Sequence, residues 1–211
     1  VFDYKKLEYY NGNYIRQLST EELYKWTLPF ITGTGDATLE INPENPQPKP
    51  NVGPEFSGVA LGEDGRPYCV DKSMNMSTED VEKTLMGLMP LIQERLKFLT
   101  EAAEMVHFMF TEPAVPPADQ IIPKRIDAAK TKEVLEVAKE FVAKVFELDH
   151  EGAEEWAKAK AEELGIKLGD FMMPIRMAVT GSRVSPPLIG SIVVLGKERS
   201  LARIDRTLAT L

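Results

Sequence analysis

The sequence predicts a mostly α-helical protein with two packed helical subdomains and a small β-hairpin-like insertion. Apolar residues recur at helical spacing through most of the chain, which is typical of amphipathic helices. Capping signals begin several of these stretches, at Ser19, Ser77 and Asp149. A proline-rich segment at 111–123 interrupts the helical pattern and predicts the boundary between the subdomains.

Two capping boxes mark helix starts in the first half of the chain. The pattern that opens at Ser19 predicts a short helix that stops before Pro29. The pattern that opens at Ser77 predicts a helix that continues up to Pro90. A further apolar stripe predicts helix over residues 91–110.

Between these helices, residues 31–75 form the predicted insertion. Its Pro- and Asn-rich part, 42–54, should be extended or irregular. Two short β-prone runs then flank Asp64 and Gly65, a pair that is typical of hairpin turns. A β-hairpin is therefore expected between about residues 59 and 70.

The second half of the chain begins with its clearest amphipathic helix, at 134–146, whose apolar stripe we assign to the core. Asp149 can cap the next helix, and a last helix should run over 197–208. This last helix carries four cations, Lys197, Arg199, Arg203 and Arg206. They form either a basic patch for RNA or cations that stabilise the end of a helix.

Residues 171–196, FMMPIRMAVTGSRVSPPLIGSIVVLG, predict a helix, a tight loop and a second helix. Pro174 is expected in the first turn of the first helix. The loop is rich in small hydroxyls, glycine and proline, and Arg176 and Arg183 are delivered from its two sides. Such a loop can hold an anion or the edge of a base. A plain connection between helices is the alternative interpretation.

Composition and charge exclude several classes of function. The net charge of −8 argues against a non-specific nucleic-acid binder, although a local basic face is compatible with it. The single Cys69 excludes an internal disulfide, and one cysteine with two histidines argues against structural zinc. The sequence contains no membrane-length apolar run and no visible N-terminal signal, which a fragment could also lack. The cysteine content fits a reducing, cytoplasmic setting, which we expect for this protein.

The sequence contains no recognisable catalytic motif. No Gly-rich phosphate loop is followed by Lys-Ser or Lys-Thr. His107 lies on a Met- and Phe-rich stretch without a Ser, Cys or Asp partner that the sequence can place, so we interpret it as a packed histidine. We expect this chain to hold no cofactor and no metal.

Long motifs at both ends resemble one known family. MPIRMAVTGSRVSPPL, followed by LGKERSLARI, resembles the C-terminal end of bacterial-type glutamyl-tRNA synthetases. The opening segment, VFDYKKLEYYNGNYIRQLSTEEL, resembles the part of that family that follows the catalytic core. The middle, LMPLIQERLKFLTEAAEMVHFMFTEP, is similar more loosely. The resemblance covers most of the chain except about 31–75, where the family normally has a shorter helical segment.

The resemblance implies an α-helical anticodon-binding cage and a specific domain organisation. Residues 1–30 would end the stem-contact domain, 31–117 would form the first anticodon-binding subdomain with its insertion, and 118–211 the second. The ATP-binding signatures of class I synthetases, HIGH and KMSKS, are absent, and the chain lacks an initiator Met. We therefore interpret it as a fragment that is inactive alone. Its parent would join glutamate to tRNA with ATP and magnesium.

The resemblance also implies which residues contact RNA. It implies that Arg95 faces the anticodon and helps to read its third base; the alternative is a solvated arginine. It also directs Arg176 outward, toward the anticodon. Arg16 matches the family's NGxYIR pattern and is a candidate contact with the tRNA body. The residues expected to line the anticodon pocket are Arg95, Arg176, Thr180, Ser182, Ser185, Pro186 and Leu188.

The expected partner is tRNA(Glu), bound by a monomer, with no DNA or membrane partner. The sequence leaves open whether the parent also accepts tRNA(Gln). It also leaves two alternatives: the anticodon-binding part of a class I lysyl-tRNA synthetase, and an acidic helical scaffold that binds proteins. A scaffold predicts no dependence of RNA binding on the anticodon sequence.

Overall fold

A computed structural model describes residues 3–35 and 52–211 of the chain. Within these residues it is mainly helical, with one two-stranded antiparallel sheet, which confirms the predicted fold class. The helices of the first half are α1 (Tyr4–Gln17), α2 (Thr20–Thr32), α3 (Pro54–Ser57), α4 (Thr78–Gln93) and α5 (Ala102–Phe110). Those of the second half are α6 (Ala118–Ile121), α7 (Ala128–Glu147), α8 (His150–Glu163), α9 (Leu168–Thr180), α10 (Leu188–Leu195) and α11 (Lys197–Leu208).

The chain divides into two compact units, Val1–Glu112 and Pro113–Leu211. Residues 1–30 belong to the first unit together with the residues that follow them. The assignment of these segments to a stem-contact domain and two anticodon-binding subdomains stays a prediction.

The core of the first unit forms where α2 packs against α4 and α5. Leu23 of α2 and Leu85 and Leu88 of α4 are fully buried there, because they lie on the apolar stripes of their helices. A hairpin of β1 (Val59–Leu61) and β2 (Pro67–Cys69) packs beside these helices, with Val59 paired to Cys69. This confirms the predicted hairpin.

An arginine at the base of the hairpin turn ties the hairpin to α4. Arg66 Nη2 lies 2.8 Å from a carboxylate oxygen of Glu82, and Nη1 lies 3.1 Å from one of Glu79. Hydrogen bonds from Arg66 lower the pKa of Glu82. The hairpin is therefore anchored to the helical body by these ion pairs as well as by burial of Val59 and Cys69.

The second unit is built around α7, the helix that the sequence marked most clearly. Helices α8, α9, α10 and α11 all pack against it. The ring of Phe141 on α7 stacks on Trp156 with centroids 6.0 Å apart and meets Phe171 edge-on at 6.0 Å. Both ring geometries are favourable for aromatic pairs.

Helix starts follow the predicted caps. Ser19 Oγ accepts the N–H of Glu22 at 3.2 Å, and the Glu22 carboxylate accepts the N–H of Ser19 at 2.9 Å. Asp149 Oδ1 accepts the N–H of Gly152 at 2.8 Å. These caps satisfy backbone donors that have no partner within the helix.

Prolines do not mark the helix boundaries that the sequence predicts, which are helix ends at Pro29 and Pro90 and a helix start at Pro174. Pro29, Pro90 and Pro174 lie inside α2, α4 and α9. Pro29 and Pro90 occupy the last turns of their helices, and Pro174 is buried. A proline removes one helical hydrogen bond, and here packing of the surrounding apolar face maintains the helix in spite of that loss.

The single helix expected over 91–110 is also wrong. Helix α4 ends at Gln93, and α5 begins only at Ala102 after a short 3₁₀ turn, Leu99–Glu101. Apolar spacing continues across the break, so periodicity alone could not show it. The Pro-rich expectation for 42–54 lies mostly outside the described residues, which resume at 52.

Candidate functional site

Helices α9 and α10 are joined by a seven-residue loop, 181–187, hereafter the α9–α10 loop. Gly181 ends α9 in the left-handed conformation, with φ 71°, and its N–H donates to the Met177 carbonyl at 3.0 Å. A methyl group at Gly181 would lie 2.7 Å from Pro113 Cβ. Both the backbone conformation and the close approach of Pro113 require glycine at this position.

We expect Gly181→Ala to lower the free energy of unfolding by about 2 kcal/mol, because a side chain in the left-handed region costs about 1–2 kcal/mol and Pro113 must also move. Chemical denaturation of the chain measures the change. Gly169→Ala is the matched control: Gly169 also lies in α9, is exposed, and has no atom within 4 Å of the added methyl group. Equal effects of the two substitutions would contradict the role of the Gly181 turn.

Arg176 holds the far end of this loop. Its Nη1 donates to the Pro186 carbonyl at 2.9 Å and to Ser185 Oγ. The side chain is half-buried. The expectation that this arginine points outward is therefore wrong for Nη1, because a guanidinium beside an apolar helix face satisfies its donors on nearby loop acceptors.

Several predicted pocket residues are buried within the second unit. Thr180, Ser185 and Leu188 are 1%, 2% and 2% exposed, and Pro186 is buried as well. The Thr180 hydroxyl donates to the Arg176 carbonyl at 2.9 Å and accepts the N–H of Ser182 at 3.3 Å. The structure brings these residues together as predicted, but their side chains determine the shape of the loop and do not form its surface.

The exposed tip of the loop consists of Arg183 and Val184. Ser182, which precedes them, is half-buried, and its Oγ accepts the N–H of Val184 at 3.1 Å. Arg183 Nη2 donates to the Gln120 carbonyl at 3.2 Å. The sequence pointed to Arg183 only in general terms and missed Val184, because no pattern distinguishes a lone valine in a loop from a packed one.

Two of the four cations of α11 are directed into the second unit and not to the basic patch that was one interpretation of the sequence. Arg203 is 2% exposed, and its Nη1 donates to the Val179 carbonyl at 2.6 Å. Arg206 is half-buried and donates through Nη2 to the Pro113 carbonyl at 2.7 Å. Two of the four cations thus support backbone carbonyls inside the second unit, so the patch prediction is wrong for them.

Arg95 belongs to the first unit and is exposed. It lies in the connection after α4, where its N–H donates to the Ile92 carbonyl at 2.8 Å. The structure therefore places it on a turn and not on a helix face. Its predicted contact with the third anticodon base stays a prediction.

Arg16 lies on α1 beside a surface groove of about 280 Å³, hereafter the α1 groove. Its Nη2 donates to Asn13 Oδ1 at 2.6 Å. A methyl group at Gly12 would lie 3.2 Å from Arg16 Nη1, so glycine allows the guanidinium to lie close to the helix. Three cations and an exposed tyrosine contribute to the groove, whose lining consists of Lys5, Glu8, Tyr9, Gly12, Arg16 and Lys97.

Metal-ligand clusters and membrane-length helices are both absent from the described part of the chain. Across 3–35 and 52–211, no group of three or more His, Cys, Asp or Glu side chains is placed to hold a metal ion. In the same residues, no helix is long and apolar enough to cross a bilayer. His107 Nδ1 lies 3.3 Å from the Thr111 hydroxyl, a local contact within one helical turn that fits a packed histidine.

Comparison with known proteins gives a consistent result for the whole chain. The family model described as "Anticodon binding domain" matches residues 61–208. A glutamate–tRNA ligase of Treponema denticola is 45% identical over 209 residues, which are 99% of this chain and 38% of that protein. A glutamate–tRNA ligase of a Roseiflexus species is 36% identical over 98% of this chain and 34% of its own length. The chain thus spans little more than a third of the length of these relatives.

A solved structure shares the fold. The crystal structure of a glutamate tRNA ligase from Elizabethkingia meningosepticum, in complex with its amino acid, superposes with a TM-score of 0.58 at 18% identity. The match covers 100% of this chain and 33% of that one.

Proposed function

This chain belongs to the anticodon-binding domain family, and on that premise we propose that it reads the anticodon of tRNA(Glu) as part of a glutamate–tRNA ligase. The observation that carries the proposal is the family match over residues 61–208, because it includes the α9–α10 loop, nearly all of the second unit and nearly half of the first. The relatives named above are glutamate–tRNA ligases, which favours the glutamyl over the lysyl alternative.

In this proposal the chain recognises single-stranded bases of the anticodon loop. Proteins read such RNA by hydrogen bonds to base edges and by contacts with unstacked base faces. Arg95 of the first unit and the α9–α10 loop of the second are the proposed contact regions. Arg176, Thr180, Ser185, Pro186 and Leu188 act by fixing the conformation of that loop, since their groups are buried or bonded within it.

The proposed parent joins glutamate to tRNA at the expense of ATP with Mg²⁺, in the cytoplasm and as a monomer. In this proposal the reaction takes place in the part of the parent that lies outside the third matched by this chain, which carries neither ATP-binding signature. We therefore expect no ATP–pyrophosphate exchange with glutamate from the 211-residue chain, with or without tRNA. Robust exchange by the purified chain would contradict the proposal that this chain binds tRNA and has no catalytic activity of its own.

Anticodon dependence is the decisive test of the proposed function. Binding of the chain to tRNA(Glu) is compared with binding to the same tRNA changed at one anticodon base, by titration at fixed salt. We expect the changed tRNA to bind more weakly by about 1–3 kcal/mol, the usual discrimination of a base-specific contact. An acidic protein-binding scaffold predicts equal binding of both. Inclusion of tRNA(Gln) shows whether the parent accepts that tRNA as well.

The α1 groove is the proposed contact with the tRNA body. Arg16, Lys5 and Lys97 supply cations for backbone phosphates, although Lys97 also lies 3.2 Å from a carboxylate oxygen of Glu8. We expect Arg16→Ala to weaken binding of full-length tRNA and to lower its salt dependence by about one unit of slope. Binding of an isolated anticodon stem–loop should not change, since it lacks the tRNA body. A selective loss for the stem–loop would place Arg16 at the anticodon.

A further inference from the structure

We infer that Arg183 and Val184, at the tip of the α9–α10 loop, bind one unstacked nucleotide of the RNA, the guanidinium on its phosphate and the valine on the face of its base. The inference rests on the proposed function, because it assigns residues to the same RNA contact. Neither residue is in the predicted pocket, although the sequence already placed Arg183 beside a loop that can hold an anion or the edge of a base.

Exposure selects these two residues. In the α9–α10 loop they alone are exposed, while the remaining loop residues are half-buried or buried. Val184 is 58% exposed, so its apolar side chain contributes little to the core of the second unit. An apolar group at a loop tip next to a cation matches the two surfaces of a nucleotide, an apolar base face and an anionic phosphate.

The guanidinium of Arg183 is held in place and still has donors for a ligand. Nη2 donates to the Gln120 carbonyl at 3.2 Å, which ties the loop tip to α6. Among the described residues, Nε and Nη1 make no hydrogen bond and no carboxylate pairs with the side chain. A planar guanidinium with two donor nitrogens available is well suited to a phosphate. In a chain of net charge −8, a cation that forms no ion pair within the described residues also favours an anionic partner locally.

The backbone beneath the tip is held by several contacts before RNA binds. The Ser182 hydroxyl accepts the N–H of Val184, Thr180 accepts the N–H of Ser182, and Arg176 bonds to the Pro186 carbonyl. Gly181 fixes the turn at the start of the loop against Pro113. Binding residues on a loop that is rigid beforehand lose less conformational entropy on association.

The test measures binding of the 211-residue chain to a synthetic anticodon stem–loop of tRNA(Glu) at several salt concentrations. We expect Arg183→Ala to weaken binding about tenfold and to lower the slope of log affinity against log salt by about 0.7, the value for one phosphate contact to single-stranded RNA. Val184→Asp should weaken binding to a similar degree, whereas Val184→Leu should retain it. We expect the variants to be folded, since both side chains are exposed. Thermal melting checks this.

Lys158→Ala is the matched control, because it removes one positive charge from an exposed position of the same unit, on α8. It should leave affinity and salt slope nearly unchanged. If Arg183→Ala keeps the affinity and the salt slope of the wild-type chain, the inference is overturned. The proposed function would still stand in that case, provided that binding by the wild-type chain depends on the anticodon. A wild-type chain without anticodon dependence would overturn the proposed function and this inference together.

Discussion

Replacement of Arg203 by alanine is expected to lower the free energy of unfolding by about 3 kcal/mol. Arg203 lies on α11 and is 2% exposed, and its Nη1 donates to the Val179 carbonyl at 2.6 Å. Val179 lies in the last turn of α9, where carbonyls lack helical donors and carry partial negative charge. The substitution removes a charge-assisted hydrogen bond, leaves a buried carbonyl without this donor, and opens a cavity.

The measurement is chemical denaturation of the 211-residue chain, supported by the thermal midpoint, which should fall by about 6–12 °C for a protein of this size. Arg203→Met separates the two contributions, because it retains most of the side-chain volume and removes the donors. We expect it to recover about half of the loss, since cavity and hydrogen-bond contributions are of similar size. Lys197→Ala, at an exposed cation of the same helix, is the control and should change stability little. A loss of tRNA binding with unchanged stability in Arg203→Ala would show that the sequence-based patch was right.

Arg203 also shows where sequence patterns fail. A cation on a helix has the same appearance in the sequence whether it reaches solvent, RNA or a buried carbonyl. The difference depends on how α11 packs against α7 and α9, and those contacts join residues that are distant in the sequence. The same holds for Thr180 and Ser185, whose hydroxyls suggested a polar surface but lie in the interior.

Local signals predicted the helix starts well. A cap involves residues three apart, so Ser19, Ser77 and Asp149 could be identified without knowledge of the tertiary structure. The hairpin around Gly65 followed for the same reason, because turn chemistry is local. The helix ends predicted at Pro29 and Pro90 were wrong because the loss of one hydrogen bond competes with burial of a long apolar face. The helix start predicted at Pro174 was wrong for the same reason, since Pro174 is part of the buried face of α9.

Of the candidate site, the sequence predicted the position of the α9–α10 loop and the involvement of Arg176. It could not predict which side chains of the loop face outward. Loop orientation depends on contacts such as Gly181 against Pro113 and Arg183 with Gln120. These partners lie some 60 or more residues away, and no periodic pattern connects them.

The second large effect is expected at Arg176. We expect Arg176→Ala to weaken binding of cognate tRNA by about 1–3 kcal/mol, because the loop that it positions would lose a base-specific contact. The substitution should also lower the free energy of unfolding by about 1–2 kcal/mol. The second effect follows from the bonds of Nη1 to the Pro186 carbonyl and Ser185 Oγ. If Arg176 were directed only outward, its removal would leave stability unchanged. Denaturation and tRNA titration of the same variant therefore distinguish an outward arginine from one that is bonded to the loop.

Two further variants show how Arg176 influences RNA binding. Arg176→Lys keeps the charge but lacks the planar donor group that reaches two loop acceptors. Ser185→Ala keeps the arginine and removes one of its acceptors, the buried Ser185 hydroxyl. If Arg176 acts by positioning the loop, both variants should lose part of the discrimination between the native anticodon and one changed at a single base, and the loss should follow the loss of stability. A direct contact of the guanidinium with RNA predicts a different result. In that case Ser185→Ala should keep full discrimination, and Arg176→Lys should lose it while its stability stays at the wild-type value.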